Sequence, residues 1–124
     1  MYRILFFISF IGLILFFSFA FSSEKIRSIH FYEMDSFTQQ HHHHPITILD
    51  EKTIRNIKYV FEHASKISGI VNMSEPSYKV QIGNDSYYLW IGKENGSIMK
   101  IEDTNTIYSL SEEFISYLNS ILHP

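Results

Sequence analysis

"YKVQIGNDSYYLWI", residues 78–91, contains two short alternating runs separated by a cluster of turn formers. In the first run Tyr78, Val80 and Ile82 alternate with Lys79 and Gln81, the period of a strand with one buried and one solvated face. "GNDS", residues 83–86, supplies the turn, and two strands joined this closely pair antiparallel. The second run differs: Tyr87, Leu89 and Ile91 share one face, and Tyr88 and Trp90 share the other. A strand that is apolar on both faces belongs in the middle of a sheet, so residues 87–91 are placed centrally.

Working outward toward the carboxyl end, "GKENGS" provides a second turn through Asn95-Gly96, and residues 98–101 form the next strand. "EDTNT", residues 102–106, reads as a turn whose Asp, Asn and Thr side chains cap local backbone groups. Residues 107–110 are a last short strand. Ser111 then caps a terminal helix through Leu122, with Phe114, Ile115, Leu118, Ile121 and Leu122 as its buried stripe.

Toward the amino end, Ile54, Ile57, Phe61, Ala64 and Ile67 recur at helical spacing over residues 51–68, with Asp50 at the N-cap and Gly69 placed to end the helix. Before it lie a β-branched run at residues 46–49 and a strand, "IRSIHFYE", with Ile29 and Phe31 on one face. The expected fold is α+β: a small antiparallel sheet, built as a meander, with two packed helices.

An N-terminal hydrophobic helix, acting as signal or anchor, is expected to precede that domain. "ILFFISFIGLILFFSFAF", residues 4–21, follows a single positive charge at Arg3, the grammar of an export signal. Ser18-Phe19-Ala20 and Ala20-Phe21-Ser22 both offer small residues at peptidase spacing. The run also approaches the roughly 20 residues that span a bilayer, so an uncleaved anchor stands beside cleavage. The division is therefore residues 1–22 as signal peptide or membrane anchor and residues 23–124 as a single extracytoplasmic domain, either secreted or held at the cell membrane by residues 4–21.

Composition removes several functions. The chain has no cysteine, which excludes disulfides, thiolate metal sites, thiol nucleophiles and a lipoprotein cysteine. Its formal net charge of −3, with ten Lys and Arg scattered along the sequence, argues against nucleic acid as a partner. No G-x-S-x-G and no Gly-rich phosphate loop occurs. Asp103 beside Glu102 is the one central carboxylate pair, and turn chemistry explains it better than catalysis does. Catalytic residues are assigned to none of these positions, and an enzyme is not expected.

"GIVNMSEPSYKVQIGNDSYYLWIGKENGSIMKIEDTNTIYSLSEEF", residues 69–114, resembles the YhfM-like domain of extracytoplasmic proteins from Bacillus-type bacteria. The resemblance rests on the order of its pieces: "GIVNM", the turn at residues 75–78, "YYLW", a Gly turn before "IM", and "DTNTIYSLSE". It implies an exported or membrane-tethered module and transfers no catalytic or binding residue. Members that begin as lipoproteins differ from this chain, which lacks the cysteine.

Two clusters remain as site candidates. His41, His42, His43 and His44 precede Pro45, and His41 and His43 could share an ion with His30, Asp35 or Glu33, because imidazole suits zinc and copper. Consecutive residues of an extended chain point to opposite sides, however, so a solvated loop is favoured and no cofactor is expected, zinc or copper being the exception to test. The second candidate is a patch of Tyr88 and Trp90: on a face that no helix covers, they would receive a protein, peptide or cell-envelope component. The functional expectation is an exported or membrane-tethered non-enzymatic interaction module, and the alternative is a metal-binding or metal-handling protein built on the histidine run.

Overall fold

The computed structural model describes residues 25–37, 39–40, 44–67 and 74–124. The expected signal or anchor helix falls in residues 1–24 and so lies outside the described residues. Among the described residues, no helix is long and apolar enough to cross a membrane.

In chain order the elements are β1 (Ile29–Glu33), β2 (Ile46–Ile48), α1 (Glu51–His63), β3 (Ser65–Lys66), β4 (Tyr78–Ile82), β5 (Asp85–Ile91), β6 (Gly96–Lys100), β7 (Asp103–Leu110) and α2 (Glu112–Leu122). The described strands make one seven-stranded sheet in the order β2-β1-β4-β5-β6-β7-β3, and every pairing is antiparallel. Strands β4 to β7 are the expected meander, and β5 takes the fourth and central place, as its two apolar faces require.

Both helices begin at the residues expected from capping chemistry. Asp50 accepts hydrogen bonds from the Thr53 backbone N–H at 3.0 Å and the Thr53 hydroxyl at 2.7 Å, which satisfies a donor that the first turn leaves unpaired. Ser111 accepts from the Phe114 N–H at 3.2 Å. Ile54, Ile57 and Phe61 of α1, with Phe114, Ile115, Leu118 and Leu122 of α2, pack on Ile29, Phe31, Tyr78, Val80, Tyr87, Leu89 and Ile98 of the sheet. Each such side chain contributes about 1.5–3 kcal/mol when fully buried. Phe61 stands at the meeting point, edge-on to Tyr87 at 5.1 Å and to Phe114 at 6.3 Å.

Three sequence expectations are corrected. Helix α1 stops at His63, and Ala64 is already extended at ψ 148°, so Gly69 is not its cap and itself lies outside the described residues. Ser65 and Lys66 pair instead with Ser109 and Tyr108, and the Ile67 N–H donates to the Ile107 carbonyl at 2.8 Å. Ile67 matches the helical stripe in the sequence, yet it joins Trp90, Met99 and Ile107 on the other side of the sheet; a free apolar site there and a row of sheet hydrogen bonds outweigh one more turn of helix.

The second correction concerns the turns. Ile82 pairs with Asp85, leaving Gly83 and Asn84 as the tip, and Gly83 alone has positive φ, at 59°. A positive φ at the first central residue only is the signature of a type II′ turn. The loop between β5 and β6 is residues 92–95, closed by the Gly92 N–H on the Asn95 carbonyl at 2.8 Å. Gly96 is not a turn centre: it is the first residue of β6, opposite Ile91 and Leu110. A Cβ at Gly96 would fall inside the contact radius of Ile115 Cδ1, so this glycine sets how closely α2 approaches the sheet.

Third, residues 103–106 belong to β7 rather than to a loop. The turn falls at residues 101–102, beside a register shift at Met99 and Lys100. Asp103 still shows the expected local chemistry, accepting from the Asn105 N–H at 3.2 Å.

Two expected outcomes follow from this packing. Gly96→Ala lowers stability by about 1–3 kcal/mol in urea titration, whereas Gly92→Ala, whose Cβ would meet the Asn95 carbonyl at an ordinary 3.5 Å, changes the midpoint little; equal effects would remove Gly96 from its packing role. The Tyr87 hydroxyl is pushed up to about 12 by burial, with Asp85, Glu62 and Tyr108 adding to it. The folded state therefore holds that proton more tightly than the unfolded chain, and its contribution is intact below pH 10 and lost as pH rises from 10 to about 12. Tyr87→Phe flattens that alkaline loss of stability, and an unchanged slope would refute the assignment.

Candidate functional site

Alternation along β5 sends Tyr87 and Leu89 into the helix-side core and Tyr88 and Trp90 to the opposite face. Neither helix covers that second face. Trp90 is nonetheless only 9 % exposed, because loops cover it. Phe37 lies over it with ring centroids 6.1 Å apart, Tyr88 stands beside it at 6.2 Å, and its indole N–H donates to the Ser74 carbonyl at 2.7 Å. Trp90 is thus the floor of the site rather than a contact surface, although Tyr88 and Trp90 do share the face that α1 and α2 leave uncovered.

The side chain that caps this floor was not singled out in the sequence. Phe37 sits in "MDSFTQQ", and an isolated aromatic among polar residues was the available signal. The loop carrying it leaves β1 through a Met34 N–H bond to the Ser77 carbonyl at 3.1 Å and turns back with the Asp35 N–H on the Gln39 carbonyl at 3.0 Å. A bridge between Met34 and Gln40 closes it. Phe37 meets Tyr88 edge to face at 5.6 Å, and the Tyr88 hydroxyl donates to the Phe37 carbonyl at 3.2 Å, so ring and backbone are held by the same partner. Phe37 remains 39 % exposed.

Next to this pair is a cleft of about 290 Å³ lined by Met34, Phe37, Gln40, Lys79, Tyr88 and Ile101. Its walls are two aromatic edges and two aliphatic groups. Lys79, directly across the ladder from Tyr88, adds a cation, and Gln40 adds an amide. Such a site can hold a flat or aliphatic group and orient a polar substituent. Among the described residues its wall holds no carboxylate.

The histidine candidate divides. His30 lies on this same side of the sheet, in β1, with its Nδ1 3.0 Å from the Thr47 hydroxyl and its Nε2 3.1 Å from the Ser28 hydroxyl. Both ring nitrogens are thus engaged by hydroxyl groups. His41 and His43 lie outside the described residues, and His44 is exposed. Among the described residues no three His, Asp or Glu side chains gather as a metal site.

A second groove, of about 430 Å³, runs between the helices beside Tyr59, Val60, Phe114 and Tyr117. His63 stacks on Tyr59 at 4.1 Å, with its Nδ1 2.8 Å from the Tyr59 carbonyl.

Phe37→Ala is expected to uncover the floor of the aromatic site. Trp90 is the sole tryptophan, so its emission should move to the red and its quenching by acrylamide should rise several-fold, with a stability loss of about 1–2 kcal/mol. Unchanged quenching would show that Phe37 does not shield the indole.

Comparison with known proteins agrees with the architecture. The family model described as YhfM protein matches residues 29–123, which run from the first strand to the end of α2 and extend the resemblance read at residues 69–114. No curated protein and no solved structure matches the chain. With a match that covers the sheet and both helices, the chain belongs to the YhfM family.

Proposed function

We propose that this chain is a non-enzymatic binding module working outside the cell membrane, secreted or tethered by residues 4–21, and that it holds its partner on the Phe37–Tyr88 face. The observation that carries this reading is the aromatic loop folded over the side of the sheet that neither α1 nor α2 covers. Phe37 is more than a third exposed although Trp90 and Tyr88 lie beneath and beside it, an arrangement that leaves an apolar edge in water on a firm support. Aromatic side chains so supported lose little entropy on binding and supply large contact area.

The chemistry of the cleft points to a peptide, protein or cell-envelope component that presents an apolar group beside an anionic or hydrogen-bonding one, met by Lys79 and Gln40. The apolar run at residues 4–21, with one positive charge before it, supports export. Acid–base catalysis has little footing: Glu102 and Asp103 are exposed, and the Asp103 carboxylate serves a local backbone N–H.

A photo-crosslinking amino acid placed at Phe37 in the native host tests this, with the same group at Tyr59 on the helix side as control. Discrete adducts at Phe37, absent at Tyr59 and lost when Tyr88→Ala and Lys79→Gln are introduced, are the expected outcome. No adduct at Phe37, or the same adducts at both positions, would rule out this face.

A further inference from the structure

The first described residues build a cleft that the aromatic site does not use. It has a volume of about 470 Å³ and is lined by Lys25, Arg27, Ser28, His30, Gln81 and Asn84 among others, and among the described residues its wall holds no carboxylate. In a chain of net charge −3 this is a local concentration of cations and neutral hydrogen-bonding groups. Lys25 touches Glu51 at 3.8 Å, but both side chains are about two-thirds exposed or more, at 70 % and 68 %, so the contact is weak and exchangeable. Asp85, which follows Asn84, acts on Tyr87 of the helix side.

We propose that this cleft recognises a phosphate or phosphodiester anion. Its floor is rigid: the Gln81 amide donates to the Gly83 carbonyl at 2.8 Å, and its oxygen accepts from the Ser86 hydroxyl at 2.7 Å. His30 bridges two hydroxyls, Thr47 at 3.0 Å from Nδ1 and Ser28 at 3.1 Å from Nε2; with the ring proton on Nε2, the Thr47 hydroxyl donates to Nδ1 and Nε2–H donates to the Ser28 oxygen. In that tautomer the Ser28 O–H is left to donate to the anion. Lys25 and Arg27 supply the charge, Arg27 in the forked geometry that fits phosphate oxygens, and Asn84 adds an amide at the turn.

Position suggests one source of the anion. Phe21 closes the apolar run four residues before Lys25, a covalent reach of at most about 14 Å. In the tethered state the cleft is therefore confined to the headgroup layer, where anionic lipids attract Lys and Arg. The lipid source rests on the tethering proposed above; the phosphate chemistry does not.

The test uses the full chain, kept uncleaved in nanodiscs of an uncharged galactolipid that carries no phosphate, and followed through its backbone amide resonances. Inorganic phosphate and glycerophosphoglycerol are the soluble probes, and a parallel set of discs contains phosphatidylglycerol. Saturable shifts at Arg27, Ser28, His30 and Asn84 are expected, with binding about fivefold weaker for Lys25→Gln or Arg27→Gln and weakened again by Ser28→Ala. Saturation by the soluble probes assigns a free phosphate ester as ligand, and shifts confined to phosphatidylglycerol discs assign the lipid headgroup. No saturable shift in either arm, or affinity that follows cation number and ignores Ser28→Ala, would overturn the site. Resonances of Phe37 and Tyr88 report the aromatic face in the same spectra, so failure of one site is distinguishable from failure of the other.

Discussion

Strand β5 is apolar on both faces from Tyr87 to Ile91, and the rest of the domain is arranged around that constraint. Tyr87 and Leu89 must be covered on one side and Trp90 on the other, and their exposures of 2 %, 0 % and 9 % show that both covers are in place. The helices form the first. Their stripes converge where Phe61 meets Tyr87 and Phe114, and the absence of a side chain at Gly96 lets Ile115 press against β6. Close-packed interiors respond to a single added methyl, so this one glycine couples the position of a whole helix to the sheet.

The second cover is of a different kind. It consists of the loop carrying Phe37 and of Ile67 and Ser74, segments held through backbone carbonyls and one ring rather than through a helical stripe. The side of the sheet covered by loops is thus also the side with the aromatic cleft, while the helix side carries the main core. His30 and the polar cleft that it lines lie toward the β1–β4 end of the sheet, where the apolar cover gives way to hydroxyl and amide groups.

Membership of the YhfM family spans β1 through α2, and the order of pieces that carried the resemblance is the order of the meander. Those pieces are mostly turns and core strands, which explains why the resemblance marked the family and left the site open. Phe37 lies outside the stretch that carried it, and a lone Phe in a polar loop has no period to reveal it.

Local chemistry was sufficient wherever a residue's role depends on neighbours a few positions away. The caps at Asp50 and Ser111, the alternation that centres β5, and the two helical stripes could all be read from the order of side chains, because capping and periodicity are short-range properties. Only the tertiary structure decided the rest. Whether Ile67 would extend a helix or cross to Trp90, whether Asn95-Gly96 would turn the chain or admit Ile115, and whether Trp90 would face water or lie under Phe37 each depended on partners distant in sequence. Those choices follow from which surfaces remain to be covered once the sheet has formed, and that quantity exists only in three dimensions.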